Sequence, residues 1–416
     1  MRPLSALLVA LLFVTAAALP VAGAYPTQTQ ERSETTATSL PSIATVPNTT
    51  NQLTIPAGDV RRSSYDSTGI DVGTATAAWS AQLQHRHEAL SFEERFRQIE
   101  SRDARTRLIN DRLADIEAKE QALDERQDGA MARYARGEIS ASTFLRTRLL
   151  VDAEAAELLE TLDRIATAPD TAPDYSLSES TTARLRSVEG ELRTLTGPVG
   201  GQLQSAETAD RTHYIEVSDD GYMLATMTDD EYIRETRLDG ARDASAPDQF
   251  LQTAVNDGDP GTDRLDVADE RAADLYPWLY ERQRPSLTYY GTSGIYELTA
   301  NHPNGELTAY LDGGTTDIFY EEQFRGLSDV QTTATRRNVN DTLAVTVRRS
   351  SPTGPLLVSA ANDETGATVD GTVTINGQSV GTTGGDGVLW TVEPRGAYTV
   401  TVSTDTGNTT VAVPAS

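Results

Sequence analysis

From Leu83 to Val199 apolar residues recur at steps of three, four and seven, and this period constrains the chain more than any other feature. Leu83, Leu90, Phe92, Phe96, Ile99, Ile109, Leu113, Ile116 and Leu123 mark a first helix over Ala77–Arg126. Its other face carries Glu93/Arg97, Asp103/Arg107 and Asp115/Lys119, acid first at i,i+4, the better orientation. Gly129 and Gly137 read as stop signals. A second helix follows over Ser142–Ala166 with Leu145, Leu149, Ala156, Leu159, Leu162 and Ile165; Ser140 or Ser142 is its N-cap and Pro169 and Pro173 end it. A third, Ser178–Leu195, carries Leu185, Val188, Leu192 and Leu195, with Gly197-Pro198 as terminator. Residues 75–205 therefore read as an amphipathic helical domain, either a helical bundle or a coiled-coil hairpin. The heptad phase slips between Ile99 and Ile109, which favours an intramolecular bundle over a dimer seam. Oligomers through this region are the alternative use of the same stripe.

At 416 residues the chain has room for several domains. Asp and Glu number 62 against 35 Lys and Arg, a net charge of −27, and Lys119 is the sole lysine. A carboxylate surface of this kind stays hydrated in strong salt. It also disfavours nucleic acid and anionic lipid as partners. Cysteine is absent, which excludes disulfides, thiolate catalysis and zinc-thiolate sites.

Residues 1–24 have the layout of a signal peptide: Arg2, an apolar run from Leu4 to Leu19, and Ala22-Gly23-Ala24 as the cleavage site. Left uncleaved, the same run would be a membrane tether; after cleavage no later segment is apolar enough to span. Residues 25–74 are rich in Ser, Thr and Pro and read as a disordered linker. Asn48, Asn340 and Asn408 head N-glycosylation sequons.

From Arg211 the period changes to two, and residues 211–337 read as an α+β domain with β-hairpins. His213–Val217 and Tyr222–Met227 pair across Ser218–Gly221; Gln249–Val255 and Val267–Tyr280 are helical; Gly294–Thr299 pairs with Gly305–Leu311. Residues 339–416 alternate through Leu343, Val345 and Val347, then Val373 and Ile375, Val388, Trp390 and Val392, and Tyr398, Val400 and Val402. Short strands at this spacing, with turns at Asn376-Gly377 and Pro394-Arg395-Gly396, predict an Ig-like β-sandwich. The fold class expected is thus multidomain α+β with an N-terminal helical domain and a C-terminal sandwich.

The run Gly366–Val402 resembles carboxypeptidase-regulatory-like and other Ig-like modules, which implies a fold and no chemistry. Tyr296–Glu322, with its Leu-Asp-Gly-Gly-Thr turn, is similar to a PepSY-type hairpin, which implies a non-catalytic binding unit. Acid excess with lysine loss, a signal peptide, a helical region and an Ig-like tail together resemble haloarchaeal secreted proteins. That resemblance implies an extracellular or cell-surface location.

Catalytic constellations are not found in the sequence. His85 and His87 lie two apart on a helix and cannot share a metal, and His213 and His302 stand alone. Gly291-Thr292-Ser293-Gly294 lacks the nucleophile-elbow pattern and reads as a loop. Glu321 and Glu322 alternate across a strand, so at most one faces a cleft. Asp257–Gly261 is acidic like a calcium loop, but Thr262 and Ala268 stand where an EF-hand needs Gly and Glu. No catalytic, cofactor-binding or metal residue is assigned. Tyr276, Trp278 and Tyr280 are the candidate partner-binding residues, for a protein or a cell-surface glycan. The function expected is a non-enzymatic binding or scaffold role in the envelope of a halophile, the alternative being a secreted hydrolase with an accessory Ig-like domain.

Overall fold

Serine hydroxyls start three of the helices. The computed structural model describes residues 43–46, 51–67, 86–172, 174–203, 211–256 and 263–415. Helical residues 86–98 (α1) precede α2 (Arg102–Ala135), α3 (Ala141–Thr167) and α4 (Glu179–Arg193). Ser101, Ser140 and Ser178 cap α2, α3 and α4, each accepting from the amide three residues on. Of the two expected stops, Gly137 holds and Gly129 does not. The chain breaks at 99–101, where the apolar phase slips, and α2 runs on through Gly129 to Ala135. A lone glycine costs a helix only about 1 kcal/mol, which packing on both sides offsets. The turn into α3 is made by Gly137 at φ +74°, a conformation that favours glycine.

The apolar faces of α1–α4 meet in one cluster built from Phe92, Phe96, Ile109, Leu113, Leu158 and Leu192 among others. A second cluster joins the end of α2 and the start of α3 (Met131, Tyr134, Phe144, Leu149) to Ile215, Tyr222, Leu224 and Ile233 of a sheet. The end of α2 and the start of α3 therefore share a core with the sheet. The third helix ends at Arg193, ahead of Gly197-Pro198 as expected, and Pro198 then opens α5 (Pro198–Leu203). Gly197 passes so close to Glu235, Tyr320 and Arg148 that a Cβ would collide with all three.

The sheet has eight antiparallel strands: β3 (Arg62–Asp66), β4 (His213–Val217), β5 (Gly221–Met227), β6 (Glu231–Leu238), β10 (Ile318–Gly326), β9 (Gly305–Asp312), β8 (Ile295–His302) and β7 (Ser286–Tyr289), in that order across it. Helices α2–α5 lie against one face, and α1 packs on the helices. The other is covered by α6 (Gln249–Asn256), α7 (Arg264–Leu275), α8 (Pro277–Tyr280) and residues 51–55.

Residues 51–67 correct the expected disordered linker. Gln52–Leu53 (β2) pairs with Ile43–Ala44 (β1), Leu53 and Ile55 have no exposure, and β3 is an edge strand of the large sheet. A Ser/Thr-rich composition hid them because only alternate residues of a short strap need be apolar. The remaining described residues form two four-stranded sheets, β11 (Ala334–Asn340), β12 (Leu343–Arg349), β13 (Pro355–Asn362) and β16 (Val388–Val392) against β15 (Gln378–Thr382), β14 (Thr372–Ile375), β17 (Tyr398–Thr404) and β18 (Gly407–Val413). This sandwich begins at Ala334 rather than 339; β11 is mostly exposed and has no apolar alternation to announce it.

The sandwich is fastened to the large sheet through buried contacts. Tyr65 donates to the Val392 carbonyl and Tyr232 to that of Thr353, each at 2.6 Å. Arg395 Nε reaches both carboxylate oxygens of the fully buried Glu216 at 2.9 and 2.7 Å.

Candidate functional site

Strands β6 and β10 are neighbours, with Arg234 opposite Gln323 and Thr236 opposite Glu321. Alternation sends Tyr232, Arg234 and Thr236 to the same side as Glu321, Gln323 and Arg325, the side under the strap of residues 51–55. Charged groups there are tolerable only if paired and fully bonded. Arg234 Nη1 lies 3.3 Å from Glu321 Oε1, and neither side chain has more than 1% exposure. The Tyr276 hydroxyl donates to Glu321 Oε2 at 2.5 Å, and Gln323 Nε2 donates to Oε1 at 2.9 Å.

The strap is held by its main chain. The Leu53 amide donates to both oxygens of Glu321 at 2.9 Å, while its carbonyl accepts from Arg234 Nη2 at 2.6 Å. The Asn51 carbonyl accepts from Gln323 Nε2 at 2.9 Å, and Gln52 Oε1 from Arg325 Nη2 at 3.1 Å. Leu53 and Ile55 fill the apolar cluster on either side. A carboxylate for an N–H, a guanidinium for the C=O, and apolar sockets at i and i+2 make a cradle for an extended peptide.

Burial sets the electrostatics. It pushes the Glu321 carboxyl up, with Arg234 and the Tyr276 hydroxyl pulling the other way, and pushes Tyr276 well up. Arg325 falls to about 10, chiefly from burial. On the opposite face Arg148 and Glu235 form a second pair at 3.0 Å with no exposure. Beside it the half-buried Glu322 is pushed up to about 8 by burial and by Glu235.

Of the three candidate partner-binding residues, Tyr276 is corrected. It has no exposure and spends its hydroxyl on Glu321, so it is core. Trp278 is half-buried, edge-on to His302 at 5.5 Å and under the Arg282 guanidinium at 5.0 Å. Tyr280 is half-buried and donates to Asp269 at 2.7 Å. Trp278 and Tyr280 sit on α8, and Tyr276 is the residue between α7 and α8.

Glu321 and Glu322 do point to opposite faces, Glu321 buried and Glu322 half-buried. Ser293 lies in the hairpin turn between β7 and β8, donating to the Tyr290 carbonyl at 2.7 Å. His213 is buried and pushed down to about 4; His302 likewise, by burial first and Arg325 second. His87 is exposed on α1, whereas His85, Asn48 and the acidic loop at Asp257–Gly261 lie outside the described residues. Asn340 and Asn408 are exposed on adjoining strands, the Asn340 amide donating to the Asn408 carbonyl at 2.8 Å. Among the described residues no group of three or more metal-binding side chains is gathered, and no helix is long and apolar enough to cross a membrane.

The cradle residues Arg234, Gln323 and Arg325 were missed by sequence reasoning. Their signal is legible only with the sheet order: Glu231–Leu238 and Ile318–Arg325 carry charges on both faces, and the two strands stand side by side in the middle of the sheet. Strands charged on both faces inside a sheet must bury ion pairs.

Comparison with known families adds three matches. Residues 213–331 match a family of unknown function (DUF7094), and residues 334–411 an archaeal fibronectin-III type-like domain. The C-terminal sandwich is thus of the fibronectin-III-like kind. None of the curated proteins and none of the solved structures compared matches the chain. The first match ends at residue 212, between β3 and its partner β4, so two families contribute to one sheet. That first match takes in residues 1–212, half the chain, and by it the protein belongs to the family of the domain of unknown function DUF7096.

Proposed function

We propose that this chain is a non-enzymatic extracellular or cell-surface protein with a binding or scaffold role in the envelope of a halophilic archaeon. One observation carries the reading. The stretch that follows the signal-like segment is clamped by its main chain into the deepest part of the body, at Glu321 and Arg234. A segment held in this way is fixed directly to the central sheet. The sheet in turn holds the fibronectin-like module through Glu216–Arg395 and the two tyrosine hydroxyls. Such a body keeps its surfaces in fixed relation, which suits display of a binding face. The apolar stripe of α1–α4 is spent inside the molecule, which favours the intramolecular bundle over a coiled-coil dimer.

The partner class is a protein or a surface glycan. The test is the full chain expressed in a haloarchaeal host, with protease shaving of intact cells and mass spectrometry of the native N-terminus. Shaving is expected to release peptides of residues 86–415, with a mature N-terminus near Tyr25. Intact Met1–Ala24 peptides in membranes would make the protein tethered. Full protection from shaving would overturn a surface role.

A further inference from the structure

A cleft of about 490 Å³ opens where the strap, the turn between β12 and β13 and the Pro394-Arg395 turn meet, within the size range of small-ligand sites. Two hydroxyls lining it are buried and have no hydrogen-bond partner: Oγ of Ser351, 8% exposed, and Oγ1 of Thr353, 1% exposed. Nη2 of Arg395 and Oε2 of Glu393 are two more such atoms among the lining residues. Buried polar groups are seldom left unpaired, so four at one cleft call for a ligand or solvent that pairs them.

The backbone adds a second observation. Thr353 stands at φ +60°, in a turn after Pro352 where glycine or asparagine is the usual choice. A β-branched residue there is strained. Its carbonyl is fixed by the Tyr232 hydroxyl at 2.6 Å, so the sheet holds the strained turn in place. Strain of this kind persists where a side chain is needed at a set position.

Both guanidinium groups of the lining are already paired. Arg349 is bonded to Glu393 at 2.7 Å, and Arg395 to Glu216, which lies outside the lining, at 2.7 Å, so an ionic ligand meets no cation without a carboxylate partner. Hydroxyls donate and accept at once, and the spare guanidinium nitrogen donates. Val46 and Pro352 offer an apolar wall. We infer that this cleft binds a neutral, polyhydroxylated ring, the chemistry of a neutral sugar residue, with Ser351, Thr353 and Arg395 as its polar contacts. The inference rests on the surface-binding reading and deepens it by naming the ligand class.

The experiment uses the full chain in molar KCl with methyl glycosides of glucose, galactose, mannose and N-acetylglucosamine, read by saturation-transfer NMR and calorimetry. Glucuronate and inorganic phosphate are the charged arms, and a neutral oligosaccharide ending in the best-bound sugar separates a glycan terminus from a free sugar. At least one neutral glycoside is expected to bind. Ser351→Ala and Thr353→Val should each weaken it roughly tenfold, as loss of one buried hydrogen bond implies. Thr353→Gly relieves the turn and should raise the melting temperature while still losing affinity, which separates binding from folding. If Thr353→Val fails to fold, Ser351→Ala and Thr353→Gly decide. Absence of binding by every neutral glycoside, binding unmoved by these changes, or preference for the charged probes overturns the assignment. Should sugars fail while the chain is still shaved from intact cells, the ligand class falls and the surface reading stands.

Discussion

Arg234 Nη1 and Glu321 Oε1 lie 3.3 Å apart on adjacent strands, and the main chain of Leu53 binds both, amide to the carboxylate and carbonyl to the guanidinium. A buried ion pair alone is weak grounds for stability, because two well-packed apolar residues often do as well. Here the pair also satisfies two main-chain groups that no apolar residue could.

Glu321→Gln should therefore cost about 3–5 kcal/mol, since Arg234 and Arg325 remain buried without an anion. The double replacement Arg234→Met with Glu321→Leu should recover less than half of that loss. It leaves the Leu53 amide and carbonyl and the Tyr276 hydroxyl unpaired. Chemical denaturation in molar KCl measures both. Full recovery in the double variant would mean that the strap is held by packing alone.

Leu53→Ala separates a strap from a linker. A linker residue would change stability by a few tenths of a kcal/mol; a fully buried leucine costs about 2–5 kcal/mol. Limited proteolysis of the wild-type chain should spare residues 51–66, and the variant should be cut there. Cleavage of both at the same rate would return the segment to the disordered class.

How much of this was legible follows from what each signal depends on. Helices α3 and α4 were readable because Ser140, Ser178 and a regular apolar stripe act locally. The boundary of α2 was not, because Gly129 is overruled by packing that only the fold supplies. The sandwich announced itself through alternating apolar residues in β12, β14, β16 and β17, whereas β11, mostly exposed, carries no such signal. The cradle needs Leu53 and Glu321 side by side, 268 positions apart, and nothing local marks such a pairing. Tyr276 shows the converse error: an aromatic in an aromatic-poor chain was read as an anchor for a partner, when its neighbour is Glu321.

The pH dependence has a definite sign. Burial raises Glu322 to about 8, Glu120 to about 7 and Asp128 to about 7, from ordinary values of 4.5, 4.5 and 3.8. Folded values above unfolded ones mean that the native chain holds more protons, so this stabilisation is complete at low pH and is lost as pH rises to about 8. His213 and His302, depressed to about 4 from 6.5, act oppositely: their contribution is complete above 6.5 and lost as pH falls toward 4. Above pH 6.5 only the carboxyl effect remains, so the denaturation midpoint should fall steadily from there to about pH 8. Glu322→Gln should flatten that limb and stabilise the protein at its alkaline end. A rising limb in the wild type would contradict the half-buried position of Glu322.

Salt decides between two opposing electrostatic effects. Surface pairs such as Arg61–Asp219 and Arg136–Glu138 weaken as salt rises, but exposed pairs of this kind contribute little to begin with. The buried pairs Arg148–Glu235 and Arg234–Glu321 are hardly screened at all. Against these small losses stands the mutual repulsion of a chain with net charge −27. It acts over about 30 Å at 0.01 M salt and about 3 Å at 1 M. Local crowding sharpens it, because Glu120, Asp124 and Glu191 repel one another strongly enough to lift the Glu120 carboxyl after burial has done so. Repulsion outweighs the lost pairs, so molar KCl should raise the melting temperature markedly over dilute buffer, and Glu120→Gln should narrow the gap. Equal melting in the two solvents, followed by circular dichroism, would remove the halophilic reading of the acidic surface.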